Sequence, residues 1–160
     1  MMKKILIALI VIIVAIQFFS PEKNIDTKEQ ANAIETKYAM PDTVKQILSV
    51  ACYDCHSNNT RYPWYNRVQP VAWWLASHVK DGKKHLNFDE FTTYSLKRQH
   101  HKLEELIESQ EDHWMPLKSY TLIHKDARLS ENQSKLLIGW AEETRKAIQA
   151  DSLYTSSLKQ

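Results

Sequence analysis

Cys52-Tyr53-Asp54-Cys55-His56 constrains this chain more than any other stretch. A C-x-x-C-H run is the attachment pattern of a c-type haem. Its order and spacing follow from the chemistry. Two thiols a helical turn apart add to the two vinyl groups of one porphyrin, and the imidazole of the next residue then stands beneath the iron as an axial ligand. The run uses both cysteines of the 160-residue chain. On this reading Cys52 and Cys55 are thioether anchors, His56 is the proximal iron ligand, and the cofactor is one covalent haem c.

Three other chemistries use the same residue types. A C-x-x-C pair serves dithiol redox, which usually accompanies a βαβ pattern that is not visible here. Two cysteines with a histidine can hold a structural zinc, with His100 and His101 as further ligands. The pair can also close a disulfide, although a two-residue spacing makes a short loop.

The N-terminus bears on the choice. Met1-Met2-Lys3-Lys4 is a short basic start, and Ile5 to Phe19 then runs apolar with only Gln17 interrupting. Such a run is about 22 Å long as a helix, whereas a hydrocarbon core of about 30 Å asks for nearer 20 residues. That length suits a signal-peptide core or a short signal anchor. The exit, Gln17-Phe18-Phe19-Ser20-Pro21, lacks a small-x-small cleavage pattern, which favours an uncleaved anchor over a cleaved signal. Lys3 and Lys4 would stay in the cytoplasm. The expected location is the bacterial cytoplasmic membrane, single-pass, with the rest of the chain in the periplasm, where c-type haem is attached.

Charge is nearly balanced, with 21 Lys+Arg against 19 Asp+Glu. No basic face for nucleic acid is expected from that balance. Only two glycines occur, Gly82 and Gly139, and a glycine-poor chain rich in Leu, Lys, Glu and Gln favours helices. The expected fold class is all-α, a helical domain around one covalently attached haem, preceded by an N-terminal membrane anchor helix. The expected organisation is an anchor over 1–20, a polar tether over 21–40, the haem domain over 41–150 and a polar tail over 151–160.

Within the domain, Val44, Ile47, Leu48 and Ala51 form one apolar face of a helix expected from about Pro41 to Cys55. An irregular aromatic loop follows over 57–69. Pro70 opens a second helix through about Lys80, ended by Asp81-Gly82. Asn87 caps a third from Phe88 to about Gln110, with Leu96, Leu103, Leu106 and Ile107 inward. Residues 111–129 read as a loop containing Met115-Pro116. Ser130-x-x-Gln133 is a capping box that starts a fourth helix to about Ala150, burying Leu136, Leu137, Trp140, Ala141, Thr144 and Ile148.

A haem iron held by one histidine takes a second axial group or keeps an open site. Of the four methionines, Met1 and Met2 precede the apolar run, and Met40 lies at the far end of the first helix, roughly 20 Å from His56. Met115 remains, in a loop that Pro116 keeps from becoming helix. It is the expected distal ligand, although most methionines simply fill core gaps. His78, on the Trp-rich second helix, is the alternative, and a vacant site is the next. His85, His100, His101, His113 and His124 read as surface or hydrogen-bonding residues. Trp64, Trp73, Trp74, Trp114 and Trp140 either shield a porphyrin edge or form ordinary core. The other ring nitrogen of His56 needs an acceptor, expected from a carbonyl in the Tyr62 to Pro70 loop.

The ordered elements Cys52-x-x-Cys55-His56-Ser57-Asn58-x-Thr60-Arg61-Tyr62-Pro63-Trp64-Tyr65, His85-Leu86-Asn87-Phe88, Met115-Pro116, His124-x-x-Ala127-Arg128-Leu129-Ser130 and Trp140 resemble the bacterial haem-binding domain family of small exported cytochrome-c-like proteins. The resemblance covers about residues 41–149. It implies a helical mono-haem domain with His56 proximal and Met115 distal. The chain departs from broader class I cytochromes c in its few glycines and longer middle helix. The expected function is single-electron transfer, with redox partner proteins, the membrane and the cytochrome c maturation machinery as partners. The alternative is a haem-based ligand-binding, sensor or peroxidase-like protein, in which His113 or His124 would serve as distal acid–base groups.

Overall fold

The computed structural model describes residues 1–157, and the regular secondary structure among the described residues is helical apart from one isolated bridge between Ile25 and Asn59. The eight α-helices among them are α1 (Met2–Ile16), α2 (Asp42–Ala51), α3 (Tyr53–His56), α4 (Val71–His85), α5 (Leu96–Glu111), α6 (Lys118–Thr121), α7 (Glu131–Ala150) and α8 (Ser152–Ser157). Short 3-10 turns at 34–36, 64–67, 88–93 and 125–127 connect them. The all-α expectation holds.

The core forms where three amphipathic stripes meet. Val44, Ile47, Leu48 and Ala51 of α2 are buried as their spacing requires. Leu103, Leu106 and Ile107 of α5 face Leu137, Trp140, Ala141 and Ile148 of α7, and Phe88 and Phe91 from the 88–93 turn complete the cluster. The antiparallel α5–α7 pair is the most extensive helix contact. The capping box at Ser130 and Gln133 is present and starts α7. Leu136, expected inward, is exposed, because the buried stripe of α7 passes through Leu137 instead.

Several boundaries differ from expectation. The first helix breaks at Cys52, whose φ of −127° leaves helical space, so the haem motif sits on its own turn, α3. Gly82 does not end α4, which runs on to His85 with Lys83, Lys84 and His85 in its last turn, where cations suit the helix dipole. Asn87 does cap, accepting from the Asp89 amide, but it caps a 3-10 turn. Ser95 caps α5 separately by accepting from Arg98 N–H.

The segment 21–40 is not a free tether. Ile34 and Tyr38 are buried, and the Tyr38 hydroxyl donates to Gln99 Oε1 at 2.6 Å. Asn24 donates through Nδ2 to Ser57 O (2.9 Å) and accepts from Lys83 Nζ (2.5 Å). This segment therefore clasps the loop that follows the haem motif. At the other end, 152–157 forms α8 against α5 and α7, and the last three residues of the expected tail, 158–160, lie outside the described residues.

No helix among the described residues is long and apolar enough to cross a membrane. The expected anchor helix is α1, at 15 residues shorter than a full span and burying no side chain in the domain.

Candidate haem site

Cys52 ends α2 and begins α3. Its carbonyl accepts from the amides of both Cys55 (3.1 Å) and His56 (2.9 Å), which winds the motif into one turn. Cys52, Cys55 and His56 thereby line one wall of a single cavity. Both cysteines are free thiols. Burial, aided by the neighbouring Cys55 thiol, pushes Cys52 up to about 12, and burial, with the Asp54 carboxylate adjacent, pushes Cys55 up to about 11. A dithiol redox pair needs the opposite shift. A structural zinc needs more ligands than are grouped here, since no cluster of three His, Cys, Asp or Glu side chains arranged for a metal ion occurs among the described residues.

The Nδ1–H of His56 donates to the carbonyl of Leu86 at 2.8 Å. A carbonyl can only accept, so this contact fixes the tautomer and leaves Nε2 with its lone pair. Burial lowers the imidazole pKa, opposed by the carbonyls of Leu86 and Gly82, which keeps the ring neutral as a ligand must be. The acceptor is thus not in the Tyr62 to Pro70 loop. Leu86 supplies it because α4 continues past Gly82 and returns the chain to α3. Leu86 is itself held by its neighbour. Asn87 Nδ2 donates to Asn58 Oδ1 (2.8 Å), and the Asn58 amide donates to Asp89 Oδ2 (2.7 Å). The residues after His56 and after His85 are stitched together by buried amides.

Gly82 explains how α4 approaches so closely. A Cβ at position 82 would lie 2.6 Å from the Cys55 carbonyl oxygen, so only glycine fits. Asp54, the second of the two residues between the motif cysteines, is a buried carboxylate. It accepts from Arg61 N–H (3.0 Å), Arg61 Nε (3.1 Å) and the Tyr120 hydroxyl (2.7 Å), and the Thr60 hydroxyl donates to its carbonyl (2.7 Å). Burial and the adjacent Asp54 hold the Tyr120 phenol far above its usual value. These bonds lock the motif turn from its outer side.

The cavity has a volume of about 580 Å³, within the range of small-molecule and cofactor sites. The lining also takes in α5, α7 and the segment after α5, through Leu106, Ser109, Gln110, Leu137, Trp114, Met115 and Pro116, with Lys102, Glu105 and Glu108 among the α5 residues. His113, in the left-handed region at φ 55°, turns the chain at the end of α5, and Trp114 to Pro116 then line the cavity. Buried Gln110 donates to the Met115 carbonyl (3.3 Å) and accepts from the Ser134 hydroxyl (3.3 Å), fixing the Met115 backbone. A mostly apolar slot lined by two thiols, an imidazole and a methionine suits a haem.

His78 also lines the cavity, on α4, with its Nδ1 bonded to Trp74 O at 2.9 Å. His85 lines it too. The remaining histidines do not. His100 meets Gln149, His101 meets Glu104 and Glu105, His113 is exposed, and His124 bonds the Tyr65 hydroxyl and stacks on Tyr120. Met40 packs against the core, where its sulfur accepts from the Tyr53 hydroxyl. Of the tryptophans only Trp114 reaches the cavity. Trp140 is core, donating to Ala39 O, and Trp64, Trp73 and Trp74 are exposed.

Sequence reasoning did not single out Asp54, Gly82, Leu86 or Gln110 for roles at the site. Asp54 had a signal, since a carboxylate between two motif cysteines needs partners if buried. Gly82 had a weaker one, as one of only two glycines. Leu86 acts through its backbone, and Gln110 is one polar residue on an otherwise solvated helix, so neither stands out in the sequence.

No curated protein and no solved structure matches this chain. A haem-binding domain family matches residues 11–143. That span takes in the motif, Met115 and the clasping segment before α2. The chain belongs to the haem-binding domain family.

Proposed function

We propose that this domain holds one haem covalently through Cys52 and Cys55, with His56 and Met115 as axial ligands, and passes single electrons at the outer face of the cytoplasmic membrane. The observation that carries the reading is that Cys52, Cys55, His56 and Met115 all line one mostly apolar cavity, with His56 Nδ1 already engaged by the Leu86 carbonyl. A haem bound there supplies a one-electron ferric–ferrous couple.

The chain's own residues do the rest. The Leu86 carbonyl orients His56 and raises its basicity. Gln110 fixes the loop that presents the thioether. Leu106, Leu137 and Trp114 keep water from the cavity, which with a His/Met pair raises the potential. Attachment belongs to the cytochrome c maturation machinery, and electrons pass to or from redox partner proteins. Membrane attachment rests on α1 and on Lys3 and Lys4 before it.

His78 favours a second reading, a His-ligated or open sixth site suited to ligand binding, because it lines the same cavity. Its position argues against it as distal ligand. His78 lies one turn from Gly82, on the helix that packs directly on Cys55, and so belongs to the proximal wall.

The test is spectroscopic, on the full chain expressed with a maturation system. Haem that survives acid–acetone extraction is expected, and its loss in that extraction sinks covalent attachment. Met115→Ala should abolish the weak far-red band of a thioether-ligated ferric haem and let carbon monoxide bind. An unchanged spectrum removes Met115 in favour of His78 or an open site.

A further inference from the structure

The end of α1 is fastened to the domain at one place. Gln69 N–H donates to Gln17 Oε1 (2.9 Å) and Gln17 Nε2 donates to Gln69 O (3.3 Å). The Gln69 side-chain amide and the Trp73 indole N–H both donate to the Phe19 carbonyl, at 3.0 and 2.7 Å. Gln69 is buried by these contacts. The apolar helix therefore leaves the domain at the start of α4, not through a loose connector.

The surface around that exit is apolar. Phe18, Phe19, Val68, Val71, Trp73 and Trp74 are exposed, from 37% at Val71 to 83% at Phe18. Scattered exposed apolar residues need no explanation, but a cluster of this kind does. Its charge is one-sided: residues 57–80 carry Arg61, Arg67 and Lys80 and no carboxylate. Arg61 is engaged with Asp54, while Arg67 is exposed beside Val68.

We infer that this face lies on the bilayer surface, with Trp73 and Trp74 at headgroup depth and Arg67 against anionic lipid phosphates. Trp74 suits that depth because its ring is apolar and its N–H is polar, and Trp73 adds an apolar ring whose N–H is held by the Phe19 carbonyl. Basic side chains beside the bilayer are drawn to anionic lipid. The occupant is a lipid surface because the patch is continuous with the root of an apolar helix and basic at its edge. The inference rests on the reading of α1 as a retained anchor. Its consequence is orientation. The same α4 lines the haem cavity through His78, Gly82 and His85, so a docked α4 fixes the cavity's angle to the membrane and with it the face open to a redox partner.

Once both cysteines carry haem, the chain has no free thiol, so single cysteines can be introduced and spin-labelled. Val68→Cys and Trp74→Cys report on the patch, Ile10→Cys on α1, and Glu143→Cys on α7, which packs against α5, α8 and α2. The parent chain is labelled in parallel to report any residual thiol. The haem-loaded full chain, in its oxidised form, is placed in vesicles of phosphatidylethanolamine with phosphatidylglycerol, and a nitrogen-purged sample supplies the baseline that removes relaxation by the haem iron. Accessibility to oxygen and to a water-soluble nickel chelate is then read by power-saturation EPR. Labels at 68 and 74 are expected to show an oxygen-to-nickel ratio several-fold above that at 143, on the side of the label at 10. A lipid-facing label at 10 with 68 and 74 matching 143 overturns docking and leaves the anchor standing. A water-exposed label at 10, or a chain that does not sediment with the vesicles, overturns the anchor and docking together.

Discussion

The backbone of Gly82 fills the space beside the Cys55 carbonyl so completely that a Cβ at position 82 would stand 2.6 Å from that oxygen and 3.0 Å from the Cys55 Cβ. Neither neighbour is the free end of a flexible side chain. The oxygen is backbone and the Cβ belongs to a motif cysteine in the cavity lining, so the helices must separate to admit a methyl group.

Gly82→Ala is therefore expected to destabilise the protein by about 1–3 kcal/mol, even though alanine is the better helix former by about 1 kcal/mol. Gly139→Ala is the matched control. Position 139 lies within α7 and nothing stands within 4 Å of its would-be Cβ, so the same change there should stabilise by about 0.5–1 kcal/mol. Thermal unfolding of both variants checks the pair. Equal effects at the two positions would refute the close approach.

Tyr120 links fold stability to alkaline pH. Its phenol is held well above the ordinary tyrosine range, first by burial and then by the Asp54 carboxylate that accepts its hydrogen bond. Above about pH 10 the unfolded chain loses this proton while the folded chain keeps it, so the folded state binds more protons and stability falls as pH rises. Tyr120→Phe should flatten that fall by one proton's worth of slope, and cost about 1 kcal/mol at neutral pH through the lost hydrogen bond. Urea unfolding from pH 8 to 11 measures both. An unaltered slope would mean that the phenol is not protected.

Gln110 is expected to act on the distal side alone. In Gln110→Leu the Met115 carbonyl and the Ser134 hydroxyl both lose a buried partner, a loss of about 1–3 kcal/mol. The freed loop should weaken thioether ligation. The far-red band of the oxidised protein then fades or becomes temperature-dependent, while attachment through Cys52 and Cys55 is unaffected. A band as strong as in the parent protein would show that the loop is held by other contacts.

What could be read in the sequence was local and periodic. The stripe of α2, most of the stripe of α7 and the Ser130–Gln133 box each depend on residues within one or two turns of each other, and these stand where expected, while the C-x-x-C-H turn separates from the first helix at Cys52 and Leu136 faces outward. What was misread depends on contacts distant in the chain. Gly82 carries an end-of-helix signal locally, yet its place is set by Cys55. The polar segment 21–40 looks like a linker until Asn24 meets Ser57 and Tyr38 meets Gln99. The acceptor for His56 was sought nearby in sequence, and the fold supplies it from Leu86, beyond an entire helix. Met115 was singled out by elimination, and its place in the cavity wall depends on a turn at His113 that no sequence pattern announces.

The cysteines give the last test, on the haem-free chain. Burial pushes Cys52 up to about 12 and Cys55 up to about 11, against about 8.5 for a free thiol. Since the thiolate is the reactive form, alkylation by iodoacetamide at pH 8 should be slower in the folded apo-protein than in urea by about two orders of magnitude or more. The comparison also separates two chemistries of the same five residues. A dithiol redox pair would show at least one cysteine reacting faster folded than unfolded, because its fold must stabilise a thiolate. A haem-attachment pair has no such need: its thiols are consumed once, during maturation, and the walls that bury them exist to enclose a porphyrin. Fast alkylation of Cys55 in the folded apo-protein would therefore count against the haem reading of the motif, and protection of both thiols would count for it.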